Sequence, residues 1–143
     1  MINLQKIAGL KVLLVENERE IREALTKALL DEGCLLHSAR SGAGGLSHLR
    51  ERSFDVIISD FSLPGIDGFE FLKIAKRYCP EAIKILVAAY GDVDPMSKVF
   101  KHGIDDVIEK PFPYESLLYT ISKHLGEHRL PEKVSSDKSY KGI

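Results

Sequence analysis

Apolar residues fall along this chain in short runs separated by stretches with helical spacing. Leu10-Lys11-Val12-Leu13-Leu14-Val15 predicts a first buried strand, closed by Glu16-Asn17-Glu18. Ile21, Leu25, Ala28 and Leu29 then recur on one face of a helix that Gly33 stops. Cys34 to Ala39 reads as a weaker second strand. Ser41 is placed to cap a second helix running to Arg50, with Gly42, Gly44 and Gly45 in its first turns. Each interior glycine costs about 1 kcal/mol relative to alanine, so this helix is expected to be short or mobile. Phe54 to Asp60 contains the β-branched run Val56-Ile57-Ile58, expected of a third strand buried on both faces. It gives way to Phe61-Ser62-Leu63-Pro64-Gly65 and a helix from Asp67 to Tyr78.

Ile83 to Val87 is the fourth strand, followed by a loop of small residues, Ala88-Ala89-Tyr90-Gly91. Asp94-Pro95 starts the next helix, with Asp as cap and Pro in the first helical position, and Gly103 ends it. Asp106-Val107-Ile108-Glu109 is a short fifth strand, closed by Lys110-Pro111-Phe112-Pro113. The last helix carries Tyr114, Leu117, Leu118, Ile121 and Leu125 on one stripe and is expected to stop at Gly126. Five strands alternating with five helices predict an α/β fold: a five-stranded parallel sheet, doubly wound, with helices on both faces. The expected division is an N-terminal extension over 1–9, one domain over 10–126 and a polar tail or linker over 127–143.

Composition narrows the function. With 143 residues, 44% hydrophobic and 29% charged, the chain suits one soluble domain. A formal net charge of −1 gives no general reason to bind nucleic acid or an anionic membrane. The apolar run from Ile83 to Tyr90 is far too short to span a bilayer, and the N-terminus lacks a signal-peptide pattern. Cys34 and Cys79 match no metal spacing, which points to a reduced, cytoplasmic protein. His37, His48, His102, His124 and His128 are scattered without ligand spacing, and Glu18, Glu20, Arg22 and Glu23 read as a solvated helix face.

Three strand ends point at one crevice: the first offers Glu16 and Asn17, the third Asp60, the fifth Lys110. Two carboxylates and a carboxamide near a carbonyl-rich loop suit a hard cation such as Mg²⁺. A lysine there would neutralise a phosphoryl group, and an Asp carboxylate can itself attack phosphorus to give an acyl phosphate. An Asp60–Lys110 ion pair that merely closes the sheet explains the same residues equally well. Asn17 likewise has a local reading as the cap of a capping box with Glu20.

The series VLLVEN, DVIISDFSLPGIDG, ILVAAYGD and EKPF resembles the receiver domain of two-component response regulators, with a CheY-like fold, from about Leu10 to Gly126. The resemblance implies that Asp60 is the phosphoacceptor and Lys110 the lysine that bridges to the phosphoryl group. It implies that Pro111 follows a cis peptide bond. Glu16, Asn17, Asp60 and the backbone carbonyl of Ser62 would hold Mg²⁺. The donor would be a histidine kinase or a histidine phosphotransfer protein. The output would pass to a downstream protein or output domain through the face of the fourth helix, fifth strand and fifth helix, including Met96, Val99 and Phe100. Such a bacterial signalling domain is not an enzyme beyond self-phosphorylation and autodephosphorylation.

The departures from the family pattern are specific. Asn17 stands where the directly ligating Asp is usual, Ala88 at the switch hydroxyl position and Val107 at the switch aromatic position. Asn17 removes a negative charge from the metal site, while Glu16 has one methylene more than the usual Asp with which to reach inward. A weakened Mg²⁺ site and weakened switching are therefore expected. The alternative is a pseudo-receiver, a protein-interaction module independent of phosphate. A covalent hydrolase using Asp60 would want a second acid two residues on, where this chain has Ser62. No helix-turn-helix or basic output module is recognisable after Gly126, so the expectation is a stand-alone receiver or one cut from a longer protein, without direct nucleic-acid contacts.

Overall fold

In the computed structural model, which describes residues 4–93 and 96–127, five parallel strands form one sheet in the order β2-β1-β3-β4-β5. They are β1 (Lys11–Val15), β2 (Leu35–Ala39), β3 (Val56–Asp60), β4 (Ile83–Ala89) and β5 (Asp106–Lys110). Between and around them run α1 (Leu4–Ile7), α2 (Arg19–Asp31), α3 (Gly42–Glu51), α4 (Gly68–Tyr78), α5 (Met96–Lys101) and α6 (Tyr114–Glu127). The doubly wound arrangement is the one that the alternation of strands and helices predicts.

The pleat divides the core in two. Val12, Leu14, Val56, Ile58, Ile83, Ile85 and Val87 face one side, packed by α2 and α6 through Leu25, Leu29, Leu117, Leu118 and Ile121. Leu13, Val15, Ile57 and Leu86 face the other, against Leu49, Phe69, Phe71, Leu72 and Val99 from α3, α4 and α5. Each central strand is therefore apolar on both faces, which is why these runs lack alternation.

Several boundaries and details differ from the sequence reading. The stretch before Leu10 is more than an extension: α1 places Ile7, fully buried, in the first core cluster, and Cys34 Sγ lies 3.6 Å from the Ile7 carbonyl. Leu4 and Ile7 are too few apolar positions in so short a segment to establish a periodic signal. Strand β4 continues through Ala88 to Ala89, because its partner Lys110 extends β5 by a residue. Helix α6 passes through Gly126 to Glu127. The Asp94-Pro95 helix start and the tail from 128 onward lie outside the described residues.

The glycines of α3 serve its packing. Ser41 caps the helix, accepting from the Gly44 amide at 3.1 Å, and the helix is regular over 10 residues. A Cβ at Gly45 would sit 2.7 Å from the Phe71 ring, and one at Gly42 would sit 2.6 Å from Ile66. The helix lies close to α4 and to Ile66 just before it because those side chains are absent. Gly45→Ala is accordingly expected to destabilise the fold by about 1–3 kcal/mol, because Phe71 is fully buried and has no room to move. Gly126→Ala, which meets nothing within 4 Å, should stabilise it by up to about 1 kcal/mol. Urea denaturation of both variants checks this opposition of signs.

Candidate functional site

The site grows from the C-terminal edge of the sheet, where the strand order reverses around β1. Asp60 is the last residue of β3 and is 6% exposed, and Glu16, just past β1, is 2% exposed. Lys110 ends β5, the edge strand, so its side chain must cross β4 to reach them. Strand β4 ends there in Ala88 and Ala89, which present only methyl groups. The Lys110 ammonium lies 3.2 Å from Asp60 Oδ1 and 3.5 Å from Glu16 Oε1. The Lys110–Pro111 peptide is cis, as the resemblance implies.

The turn after Asp60 is fixed by close backbone approach. The Phe61 amide donates to the Val87 carbonyl at 2.7 Å, and the Gly68 amide donates to the Phe61 carbonyl at 2.8 Å. A Cβ at Gly68 would come within 2.0 Å of the Asp60 carbonyl oxygen, so only glycine lets α4 start against this turn. The Asp67 side chain caps α4 by accepting from the Glu70 amide at 2.8 Å.

Around Glu16 the structure corrects the sequence reading twice. The N-cap of α2 is Glu18, without a side-chain cap bond, so Asn17 and Glu20 form no capping box. Instead Glu16 Oε2 accepts from the Glu18 amide at 3.0 Å and holds the turn from the site side. Arg22 does not belong to a solvated face: its guanidinium donates to the carbonyls of Glu16 at 2.9 Å and Asn17 at 3.2 Å. Glu18 is exposed, yet its carboxylate acts electrostatically on both Asp60 and Lys110. Arg22 lies one helical turn beyond Glu18, a spacing that places it beneath the loop; that spacing was the available signal. Arg19 and Glu23 do form an exposed pair at 3.0 Å, as expected of a solvated face.

Glu16 points into the site, with one carboxylate oxygen 3.5 Å from the Lys110 ammonium and the other accepting from the Glu18 amide. Asn17 itself is exposed at the rim, as is Ser62 on the following loop. Ala88 is buried beside the site, and Val107 is partly buried against the second core cluster. Val99 is fully buried, so it offers no surface to a partner; Phe100 is 48% exposed, and the Met96 side chain lies outside the described residues.

Burial pushes the Asp60 carboxyl above its ordinary range, against the pull of the Lys110 ammonium and the Phe61 amide, and Glu18 pushes it further. Burial also raises Glu16, with Asp60 adding to the effect while the Glu18 amide and Lys110 oppose it. For Lys110, burial alone would lower the ammonium, but Glu16 and Asp60 outweigh it and hold it above its ordinary value. These directions describe a buried pair of carboxylates that one lysine does not fully neutralise. Such a pair fits a divalent cation. Among the described residues, however, no three His, Cys, Asp or Glu side chains converge to hold a metal. A cation would need the Asn17 amide oxygen, a backbone carbonyl or water to complete its shell.

The family model for the response regulator receiver domain matches residues 12–122. The chain is 36% identical over 114 residues to the response regulator protein FleR of Pseudomonas aeruginosa, covering 80% of this chain and 24% of FleR. It is 39% identical over 100 residues to the transcriptional regulatory protein AfsQ1 of Streptomyces coelicolor, covering 70% and 44%. The receiver domain protein (CheY-like) from Methanospirillum hungatei JF-1 superposes with a TM-score of 0.78 at 27% identity, covering 84% of this chain and 96% of that one. The chain thus spans between about a quarter and a half of the length of these curated relatives.

The pKa directions give a test of the site's electrostatics. Asp60 binds its proton more tightly folded than unfolded, so its contribution to stability falls as pH rises from the unfolded carboxylate range through the raised folded one. Asp60→Asn is therefore expected to raise the Tm at neutral pH. The gain should vanish below the ordinary carboxylate range, where Asp60 is protonated in both states. Thermal melts across pH check it, and a lower Tm at neutral pH would contradict it.

Proposed function

The chain belongs to the response regulator receiver family of two-component systems, and we propose that it accepts a phosphoryl group on Asp60. Aspartyl phosphorylation and Mg²⁺ use are general to this family of signalling domains. The observation that carries the proposal is a buried carboxylate at the end of the third strand, 3.2 Å from a lysine ammonium.

In this reading an Asp60 carboxylate oxygen attacks the phosphorus of a phosphohistidine on a histidine kinase or phosphotransfer protein. The new O–P bond forms as the P–N bond breaks, and the imidazole nitrogen keeps the electron pair. Lys110 moves from sharing its charge with Asp60 to neutralising an oxygen of the transferred group. Glu16 keeps Lys110 oriented, Arg22 pins the backbone of the acidic turn, and Gly68 keeps the acceptor loop against β4. Asp60, Glu16, the Asn17 amide oxygen and the Ser62 carbonyl are the groups that would hold Mg²⁺, which when bound neutralises charge on the phosphoryl oxygens. With an amide at Asn17, this site carries one negative charge fewer than a site with two acids, and is weaker for it.

Output in this reading is blunted. Ala88 has no hydroxyl to contact a phosphoryl oxygen, and the small Val107 packs into the second cluster. A hydrogen bond to a charged group contributes about 1.5–3 kcal/mol, and a phosphoryl group shifts an equilibrium only by its differential interaction with the two states. The same two residues favour, as the second reading, a phosphate-independent interaction module. The downstream protein or output domain would be reached through the surface around α5, β5 and α6. Among the described residues no helix is long and apolar enough to cross a membrane, and the two free cysteines are buried; both fit a cytoplasmic setting.

Intact-mass measurement with acetyl phosphate and Mg²⁺ tests the acceptor. One phosphoryl group should add to the wild type and none to Asp60→Asn, while Asn17→Asp should label faster at low Mg²⁺, by about tenfold or more on the scale of ligand-shell effects. Equal labelling of Asp60→Asn would overturn the assignment. A wild type that never labels would turn the reading to the phosphate-independent module.

A further inference from the structure

A groove of about 640 Å³ runs between α4 and α5, away from the acceptor site. Its walls carry Lys73, Lys76 and Arg77 from α4 and Lys101 from α5, with His102 beside them. The one carboxylate in the lining, Glu70, is tied to Lys73 at 3.1 Å. Lys98 adds a further cation next to the groove: it and Lys73 both sit over the Phe69 ring, 5.4 and 4.9 Å from its centroid. Lys76 reaches across toward the end of α5, where a Cβ on Gly103 would lie 2.7 Å from its Nζ. Against the inner side of Pro80, Lys84 is 2% exposed and donates to the carbonyls of Cys79, Pro80 and Ala82.

The formal net charge of the whole chain is −1, so this is segregation of charge and not a basic composition. Lys73 with Lys76, Lys73 with Arg77, and Lys98 with Lys101 stand three or four residues apart on helices. Like charges at that spacing cost helix stability unless an anion offsets them. The lining also has an apolar part, Ile74 and Pro80. It holds no Phe, Tyr or Trp on which a base could stack, and Phe69 beside it is buried with ammonium groups over its face.

We propose that this groove docks an acidic, amphipathic segment of a partner protein, whose carboxylates meet Lys76, Arg77 and Lys101 while an apolar side chain covers Ile74 and Pro80. Cations spread over two helices suit several carboxylates at helical spacing. The groove shares no residue with the acceptor site, so docking does not require phosphate on Asp60.

The test is an amide NMR titration of the full chain with a synthetic helical peptide carrying glutamates at i, i+3, i+4 and i+7 flanked by leucines. Its Glu→Gln counterpart and oligothymidylate are run alongside. Saturable shifts should be confined to residues 69–80 and 97–103, and the Glu→Gln peptide should fail to produce them. The triple variant Lys76→Glu, Arg77→Glu and Lys101→Glu, shown folded by its dispersed spectrum, should bind at least about tenfold more weakly. A single Lys101→Glu variant, on the short α5, gives a second measure should the triple variant unfold. Absent shifts, shifts elsewhere, equal binding of the Glu→Gln peptide, or tighter binding of oligothymidylate at the same residues would each overturn the proposal.

Discussion

One ammonium group, reaching from the edge strand across its neighbour, holds two buried carboxylates at the reversal point of the sheet. Lys110 lies within 3.5 Å of both Glu16 and Asp60, and the rest of the site is arranged around that contact. Burying charge is costly unless it is paired and hydrogen-bonded. Here the pairing is incomplete, since Glu18 adds negative charge nearby while burial raises both carboxyls. The backbone around this pair is closely held. Gly68 lets α4 abut the Asp60 carbonyl, and Arg22 fastens the turn that carries Glu16.

That arrangement separates what the chain retains from what it has changed. Asp60, Lys110 and the cis Lys110–Pro111 peptide come together at the C-terminal edge of the sheet, and the sheet and its two core clusters supply the frame. The substitutions at Asn17, Ala88 and Val107 touch the shell around that centre, not the centre itself. Under the proposed function, their joint effect would fall on cation affinity and on the coupling of the site to α5 and β5. The proposed docking groove between α4 and α5 shares no residue with that centre.

The fold was legible because buried parallel strands leave compact apolar runs, and Val56-Ile57-Ile58 and Ile83 to Val87 mark two central strands directly. Asp60 and Lys110 were legible for the same reason, each being a charged residue at the end of such a run. Local contacts that depend on tertiary approach were not. Glycines that read as a cost to α3 are spaces for Phe71 and Ile66, and Ile7 is a core residue in a segment too short to show a period. Arg22 sits on a helix whose spacing looks solvated, and only its place one turn beyond Glu18 signals that carbonyls of the preceding turn draw it inward.

The central claim is that Asp60 and Glu16 form a buried pair short of positive charge, which a divalent cation completes. The direct measurement is the Tm of the wild type and of Asp60→Asn as a function of Mg²⁺ at fixed ionic strength. A ligand that binds only the folded chain stabilises it as RT ln(1 + [L]/Kd). The account predicts a Tm that climbs with Mg²⁺ in the wild type and stays nearly flat in Asp60→Asn. A wild-type Tm indifferent to Mg²⁺, or an equal rise in both proteins, would contradict it.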